Sequence, residues 1–153
     1  MSRTAAKRIR AAAWVLFGIY VALMVYLLFF GDRYGHGPGE DIMRYNLVPL
    51  REIRRFLSYR DQLGTRAVVM NLAGNVLLFV PFGAILPVLS RSLRSPLRIA
   101  GAGLLLSVSV EVLQLLTRLG SFDVDDLILN TLGALLGYGI FAVCDRFRRK
   151  YIG

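Results

Sequence analysis

The sequence predicts an all-α fold: a polytopic membrane protein with a bundle of four transmembrane helices and an amphipathic helix in the first outer loop. Hydrophobic residues make up 56% of the 153 residues and charged residues only 19%, whereas soluble domains average roughly 45–50% and about 25%. The apolar residues also fall into four long blocks, with short charged stretches between them. A single cysteine and a single histidine exclude a disulfide scaffold and a histidine-rich metalloenzyme.

Each apolar block is long enough to cross a hydrocarbon core of about 30 Å, which takes about 20 residues. The four predicted spans cover about residues 11–30, 67–89, 97–116 and 126–144. Because lipid cannot satisfy free backbone groups, each span is expected to be helical throughout. The first block is longer than the roughly 7–15 apolar residues of a signal peptide, so we expect it to be retained as a span.

The net charge of +9 is concentrated at the ends of the predicted spans. The basic clusters comprise Arg3, Lys7, Arg8 and Arg10, then Arg91, Arg94 and Arg98, and finally Arg146, Arg148, Arg149 and Lys150. Positive residues near span ends mark the cytoplasmic side. This predicts that both termini are cytoplasmic, with basic segments 1–10 and 145–153 on either side of a membrane domain at 11–144. Since topology accounts for the charge, nucleic acid is not expected as a partner.

The first outer segment, residues 31–66, is the only long connection, and it opens with a turn-rich stretch at 35–39. Pro49 suits the first position of a helix. Apolar residues then recur at helical spacing, at Leu50, Ile53, Phe56 and Leu57. Arginines, Arg51 among them, fall on the other side. Such a helix is expected to lie on the outer bilayer surface, where its arginines contact lipid phosphates or recognise a phosphorylated ligand.

Amide and carboxyl side chains interrupt three of the spans at similar depths. With a rise of about 1.5 Å per residue, they lie roughly 6–12 Å below the outer ends of their spans, with Gln114 nearer the surface. These side chains are Asn71, Asn75, Glu111 and Asn130. A charge at mid-bilayer costs about 2.5–3.5 kcal/mol, and such residues usually face the bundle interior. The sequence therefore predicts a polar pocket that opens outward.

An acidic segment containing Asp123, Asp125 and Asp126 precedes or begins the fourth span. Asp123 is suited to cap this helix, and Asp126 to complete a capping box. Three interpretations remain open for these residues together with Glu111. They hold a divalent cation through Glu111, Asp123 and Asp126, they serve as catalytic acid and base, or they form a network that only fixes helix packing. No other cofactor is expected, and whether the protein is an enzyme stays open.

Gly133 and Gly137 have the small-xxx-small spacing that lets two membrane helices approach closely. A matching surface on the third span would contain Gly101, Gly103 and Ser107. Alternatively, the two glycines would join two copies of the chain. Cys144, at the end of the fourth span, is expected to serve packing.

Five segments resemble the VanZ-like family. They are NLVPL at 46–50, NLAGNVLLFVPFG at 71–83, SVEVLQ at 109–114, FDVDD at 122–126 and NTLGALLGY at 130–138. The resemblance implies a protein of the bacterial cytoplasmic membrane that affects tolerance to the glycopeptide teicoplanin, or the handling of cell-wall or lipid precursors. Its expected partners, besides the lipid bilayer, are a lipid-linked wall precursor or a glycopeptide.

The residues expected to bind a ligand come from the family motifs, from the depth argument and from the arginines of the outer helix. They are Asn46, Arg51, Asn71, Asn75, Glu111, Gln114, Asp123, Asp125, Asp126 and Asn130. Two other functions stay open. One is a small membrane enzyme acting on a phosphorylated lipid, with Glu111, Asp123 and Asp126 as the catalytic candidates. The other is a helix-packing scaffold or subunit without its own ligand.

Overall fold

A computed structural model describes residues 3–30 and 45–151. The turn-rich stretch predicted at 35–39 lies outside these residues. Helix α1 is Arg3–Phe30, strand β1 is Tyr45–Asn46, and helices α2, α3 and α4 are Arg51–Ser58, Arg60–Leu63 and Thr65–Leu89. A 3-10 turn at Arg91–Leu93 leads to α5 at Pro96–Thr117, β2 at Phe122–Asp123 and α6 at Val124–Tyr151.

Four of the described helices, α1, α4, α5 and α6, are long and apolar enough to cross a membrane. The predicted all-α, polytopic class is confirmed. The helices extend past the predicted spans: α1 begins at Arg3 rather than at residue 11, and α6 continues to Tyr151 rather than ending at 144. The reason is that hydropathy marks the segment buried in lipid, whereas backbone hydrogen bonding continues into the charged flanks. Helix α4 continues through Pro81 and Pro87.

Glycines place α4 and α6 in close contact. A methyl group at Gly137 would lie 2.0 Å from the Val80 carbonyl oxygen, and one at Gly133 would lie 2.1 Å from the Val76 carbonyl oxygen. Gly83 of α4 has the same relation to α6. The glycines therefore bring α6 against α4 of the same chain, and association with a second copy stays a prediction.

The third span contacts α6 through only part of the predicted surface of Gly101, Gly103 and Ser107. Gly103 faces Ala134, whereas a methyl group at Gly101 would have open space around it. A buried cluster next to this contact joins all four long helices, and it comprises Tyr20, Met24, Phe82, Ile99 and Ala134.

The first outer segment and the residues just before α6 meet in a short two-stranded sheet. β1 pairs in parallel with β2, so that Asn46 lies opposite Asp123. Helix α2 then lies against α4 and α6. Ile53 is half-buried and Arg51 is exposed, so the amphipathic helix is confirmed, but Pro49 precedes it rather than starting it.

Candidate functional site

The polar residues of the three spans and of the acidic segment gather at the end of the bundle that α2 covers. Three of them are almost completely buried: Glu111 is 2% exposed, Asp125 is 1% exposed and Asn130 is 2% exposed. We call the set of Asn46, Asn75, Glu111, Asp123, Asp125, Asp126 and Asn130 the polar layer. Its hydrogen bonds connect α6 to α2, α4 and α5, and β2 to β1 and α5.

Asp125 binds the N-terminus of α2. Its Oδ2 accepts hydrogen bonds from the backbone N–H groups of Glu52 at 2.8 Å and Ile53 at 3.1 Å, and its Oδ1 accepts one from Leu50. A helix N-terminus carries unpaired N–H groups and a partial positive charge, so a buried carboxylate is a matching partner. The sequence placed Asp125 only in a ligand site. The signal for its actual contact was that Leu50, at the cap position, has no side chain able to accept a hydrogen bond.

Asp123 is the predicted cap of α6. Its Oδ1 accepts the Asp125 N–H at 2.8 Å and the Asn46 side-chain amide at 3.1 Å. The capping box was predicted to be completed by Asp126, but the Asp123 N–H donates to Glu111 Oε2 at 2.9 Å instead. A side chain from α5 thus completes the start of α6.

Asp126 accepts a hydrogen bond from the side-chain amide of Asn75 on α4. Asn75 is half-buried, but Asn71, one helical turn earlier, is exposed. Asn71 is therefore not covered as Asn75 is, and its place in the predicted pocket stays a prediction. The two residues share a face only approximately, and α6 covers the part that carries Asn75.

Asn130 joins α6 to α5 through a hydrogen bond of 2.8 Å from its Nδ2 to Ser107 Oγ. Its Oδ1 and the neighbouring Thr131 Oγ1 are buried without a hydrogen-bond partner. Gln114 is half-buried and packs against Gly120. Arg51 is exposed at the first position of α2, so it lies at the surface above the layer rather than within it.

Several negative groups share this small region. Glu111 has Asp123 and Asp126 as its charged neighbours. Burial raises the pKa of Asp123, although its hydrogen bonds from the Asp125 N–H and the Asn46 amide act in the opposite direction. The layer therefore concentrates acidic groups and hydrogen-bond acceptors under α2.

The possible metal set of Glu111, Asp123 and Asp126 is not assembled as a metal site. Among the residues that the structure describes, no three His, Cys, Asp or Glu side chains are placed to hold a metal ion. The three carboxylates are directed at different donors: the Asp123 N–H, the Asn46 amide and the Asn75 amide.

Comparison with known proteins relates the chain to a protein family. The chain is 25% identical to Protein VanZ of Enterococcus faecium over 136 residues, which cover 86% of this chain and 74% of the relative. No solved structure matches the chain. The VanZ/LLP1 family matches residues 17–145, a range that contains the whole polar layer. This chain belongs to the VanZ/LLP1 family.

Proposed function

We propose that this chain is a VanZ-like protein of a bacterial cytoplasmic membrane, with the polar layer facing outward. In this role it changes tolerance to glycopeptides such as teicoplanin, or the handling of a lipid-linked wall precursor. Family membership and the similarity to Protein VanZ support the proposal. The proposed orientation rests on the basic clusters at the opposite end of the bundle, since positive residues mark the cytoplasmic side.

The observation that carries the proposal is that Glu111 is buried with few hydrogen-bond partners. This carboxyl group is 2% exposed inside a membrane helix, where burial of an ionisable group is costly and usually serves a function. Within the described part of the chain it accepts one hydrogen bond, from the Asp123 N–H, although a carboxylate can accept about four. No described cation pairs with it. Glu111 therefore has unused capacity for hydrogen bonds next to Asp126.

Helix α2 adds the complementary chemistry at the surface of the same end. Arg51 and Arg54 are exposed on it, and an arginine side chain can bind a phosphate through two parallel hydrogen bonds. A lipid-linked precursor carries phosphate next to sugar and peptide groups that donate hydrogen bonds. In this proposal the arginines bind the phosphate and the polar layer binds the donors.

The test is the susceptibility of a sensitive Gram-positive host to teicoplanin and vancomycin when it expresses this chain or the Glu111→Gln variant. Glutamine keeps an oxygen that accepts the Asp123 N–H, so packing is retained while the acid is lost. The matched control is Asp61→Asn, which removes a 91% exposed carboxylate from α3. We expect teicoplanin tolerance with the wild type and the control, and its loss with Glu111→Gln at equal membrane abundance.

A specific observation favours the scaffold alternative, in which the layer only orders the helices. The described hydrogen bonds to the Asp125 carboxylate all come from backbone N–H groups of α2 and its cap, as a purely structural carboxylate would require. If the scaffold alternative holds, Glu111→Gln lowers membrane abundance or thermal stability together with any tolerance. If neither the wild type nor the variants change susceptibility, the glycopeptide role is wrong and only the family and fold remain.

A further inference from the structure

A concave site lies at the end of the bundle opposite to the polar layer. It is a cleft of about 250 Å³ between the start of α1, the α4–α5 connection and the end of α6. The residues around it are Ile9, Arg10, Val88, Arg91, Arg94, Phe141, Cys144, Asp145 and Arg148. We call it the basic cleft. Cys144 is exposed here, so the expectation that it serves packing is wrong.

The basic cleft has an excess of positive charge that its own acid does not neutralise. Its single carboxylate, Asp145, is 6% exposed and pairs with Arg148 and Arg149 of the same helix. Arg10 and Arg91 are exposed and form no ion pair with any residue that the structure describes. Two guanidinium groups at this cleft are therefore available to an anion.

A third guanidinium group is held in position by the wall of the cleft. Arg94 Nε donates a hydrogen bond of 3.0 Å to the carbonyl oxygen of Pro87, and Pro87 is fully buried. The Arg94 guanidinium also lies over the Phe141 ring, 5.5 Å from its centroid, as in a cation–π contact. An arginine fixed in this way loses less conformational freedom when it binds a ligand.

We propose that the basic cleft binds the phosphate headgroup of an anionic phospholipid. Charge-assisted hydrogen bonds from converging arginines are a strong means of holding phosphate, and basic pockets between membrane helices on the cytoplasmic side bind anionic lipid headgroups. The apolar part of the lining, Ile9, Val88 and Phe141, provides contact for the hydrocarbon next to the headgroup. This wall favours a lipid over a soluble phosphate, which would leave it in water.

The position of the chain's single cysteine at the basic cleft provides a direct test. The full chain in detergent is titrated with phosphatidylglycerol, with phosphatidylcholine or with inorganic phosphate, and the rate of Cys144 alkylation by a maleimide is measured. We expect phosphatidylglycerol at ten times its Kd to slow alkylation about tenfold. Phosphatidylcholine and inorganic phosphate should have little effect.

Two substitutions with a matched control make the test specific. Arg91→Gln and Arg10→Gln each remove an available guanidinium group, and each should weaken phosphatidylglycerol binding about tenfold or more. Arg146→Gln removes the same charge from an exposed position of α6 outside the cleft and should leave the affinity unchanged.

The site is refuted if the control weakens binding as much as the two cleft variants, because that would show only general attraction of the basic end to anionic lipid. Equal protection by phosphatidylcholine would also overturn it. Protection by inorganic phosphate, with no further effect of lipid, would overturn the assignment to a phospholipid.

Discussion

Replacement of Asp125 by alanine should release α2 from the bundle while the four spans stay folded. Asp125 is the group that pairs the first N–H groups of α2, at Leu50, Glu52 and Ile53. The α2 residues include none that is fully buried, so apolar packing contributes little to holding it. The contact with Asp125 is consequently the main attachment of α2 to the membrane helices.

The size of the effect follows from these three hydrogen bonds. A hydrogen bond to a charged group contributes about 1.5–3 kcal/mol, and loss of a helix cap costs about 0.5–2 kcal/mol. Since α2 lies near the surface, water pairs with its N–H groups once the carboxylate is gone. The loss of free energy is therefore smaller than the sum of the three hydrogen bonds. We expect Asp125→Ala to lower the free energy of α2 undocking by about 2–4 kcal/mol.

Hydrogen–deuterium exchange measures this undocking locally. The loss should speed exchange of the α2 amides roughly 30- to 700-fold, at about 1.4 kcal/mol per factor of ten, and leave α4 and α5 unchanged. Asp61→Ala is the control, because that carboxylate is 91% exposed and its one described partner, Arg60, is 3.7 Å away, which is too long for a hydrogen bond. If α2 exchanges no faster in Asp125→Ala than in this control, the assignment of Asp125 as the attachment of α2 is wrong.

Three further predictions concern the bundle and the layer. Gly137→Ala should destabilise the protein by about 1–3 kcal/mol, because the methyl would overlap a carbonyl oxygen of α4, whereas Gly139→Ala, which has open space, should not; thermal unfolding in one detergent compares them. Ser107→Ala should cost about 0.5–2 kcal/mol by leaving a buried amide unpaired, and Ser109→Ala, which loses a bond within its own helix, should cost less in the same assay. Burial raises the folded-state pKa of Asp123, so its contribution to stability is present below the unfolded pKa of about 3.9 and is lost as pH rises through the folded value. Asp123→Asn keeps an equally good helix cap and should remove this part of the pH dependence of the melting temperature. A pH profile that is unchanged in the variant would contradict the assignment.

Much of the fold was predictable because it depends on properties that a single segment carries. Hydropathy located the four spans, and the capping role of Asp123 followed from its place before an apolar helix. The contact of Asp125 with α2 was not predictable in this way, since the two segments are more than 70 residues apart and their meeting depends on tertiary packing. The same holds for Glu111, which took the position in the capping box that local spacing assigned to Asp126.

The differences between expectation and structure have physical reasons as well. A small-xxx-small pattern shows that a helix can be approached closely but does not identify the partner, so Gly133 and Gly137 gave no information on whether α4, α5 or a second copy would occupy them. The spacing of Asn71 and Asn75 could not show where the edge of α6 would fall between them. At the other end, the positive-inside rule accounted for Arg91 and Arg94, and their convergence in one cleft was therefore missed.

The partners of the buried acids distinguish Glu111 from Asp125 and Asp145. Asp125 and Asp145 stand twenty residues apart on α6, a rise of about 30 Å, which is the thickness of the hydrocarbon core. Both can therefore lie at an interface, where Asp125 pairs with a helix N-terminus and Asp145 with arginines. Glu111 lies six residues before the end of α5, about 9 Å along the axis, without a described cation. Among the described residues only the Asp123 N–H donates to its carboxylate, whereas Asp125 has three N–H donors and Asp145 has two arginines. The burial of Glu111 is thus the least compensated, and this makes it the acid whose removal best tests for a function.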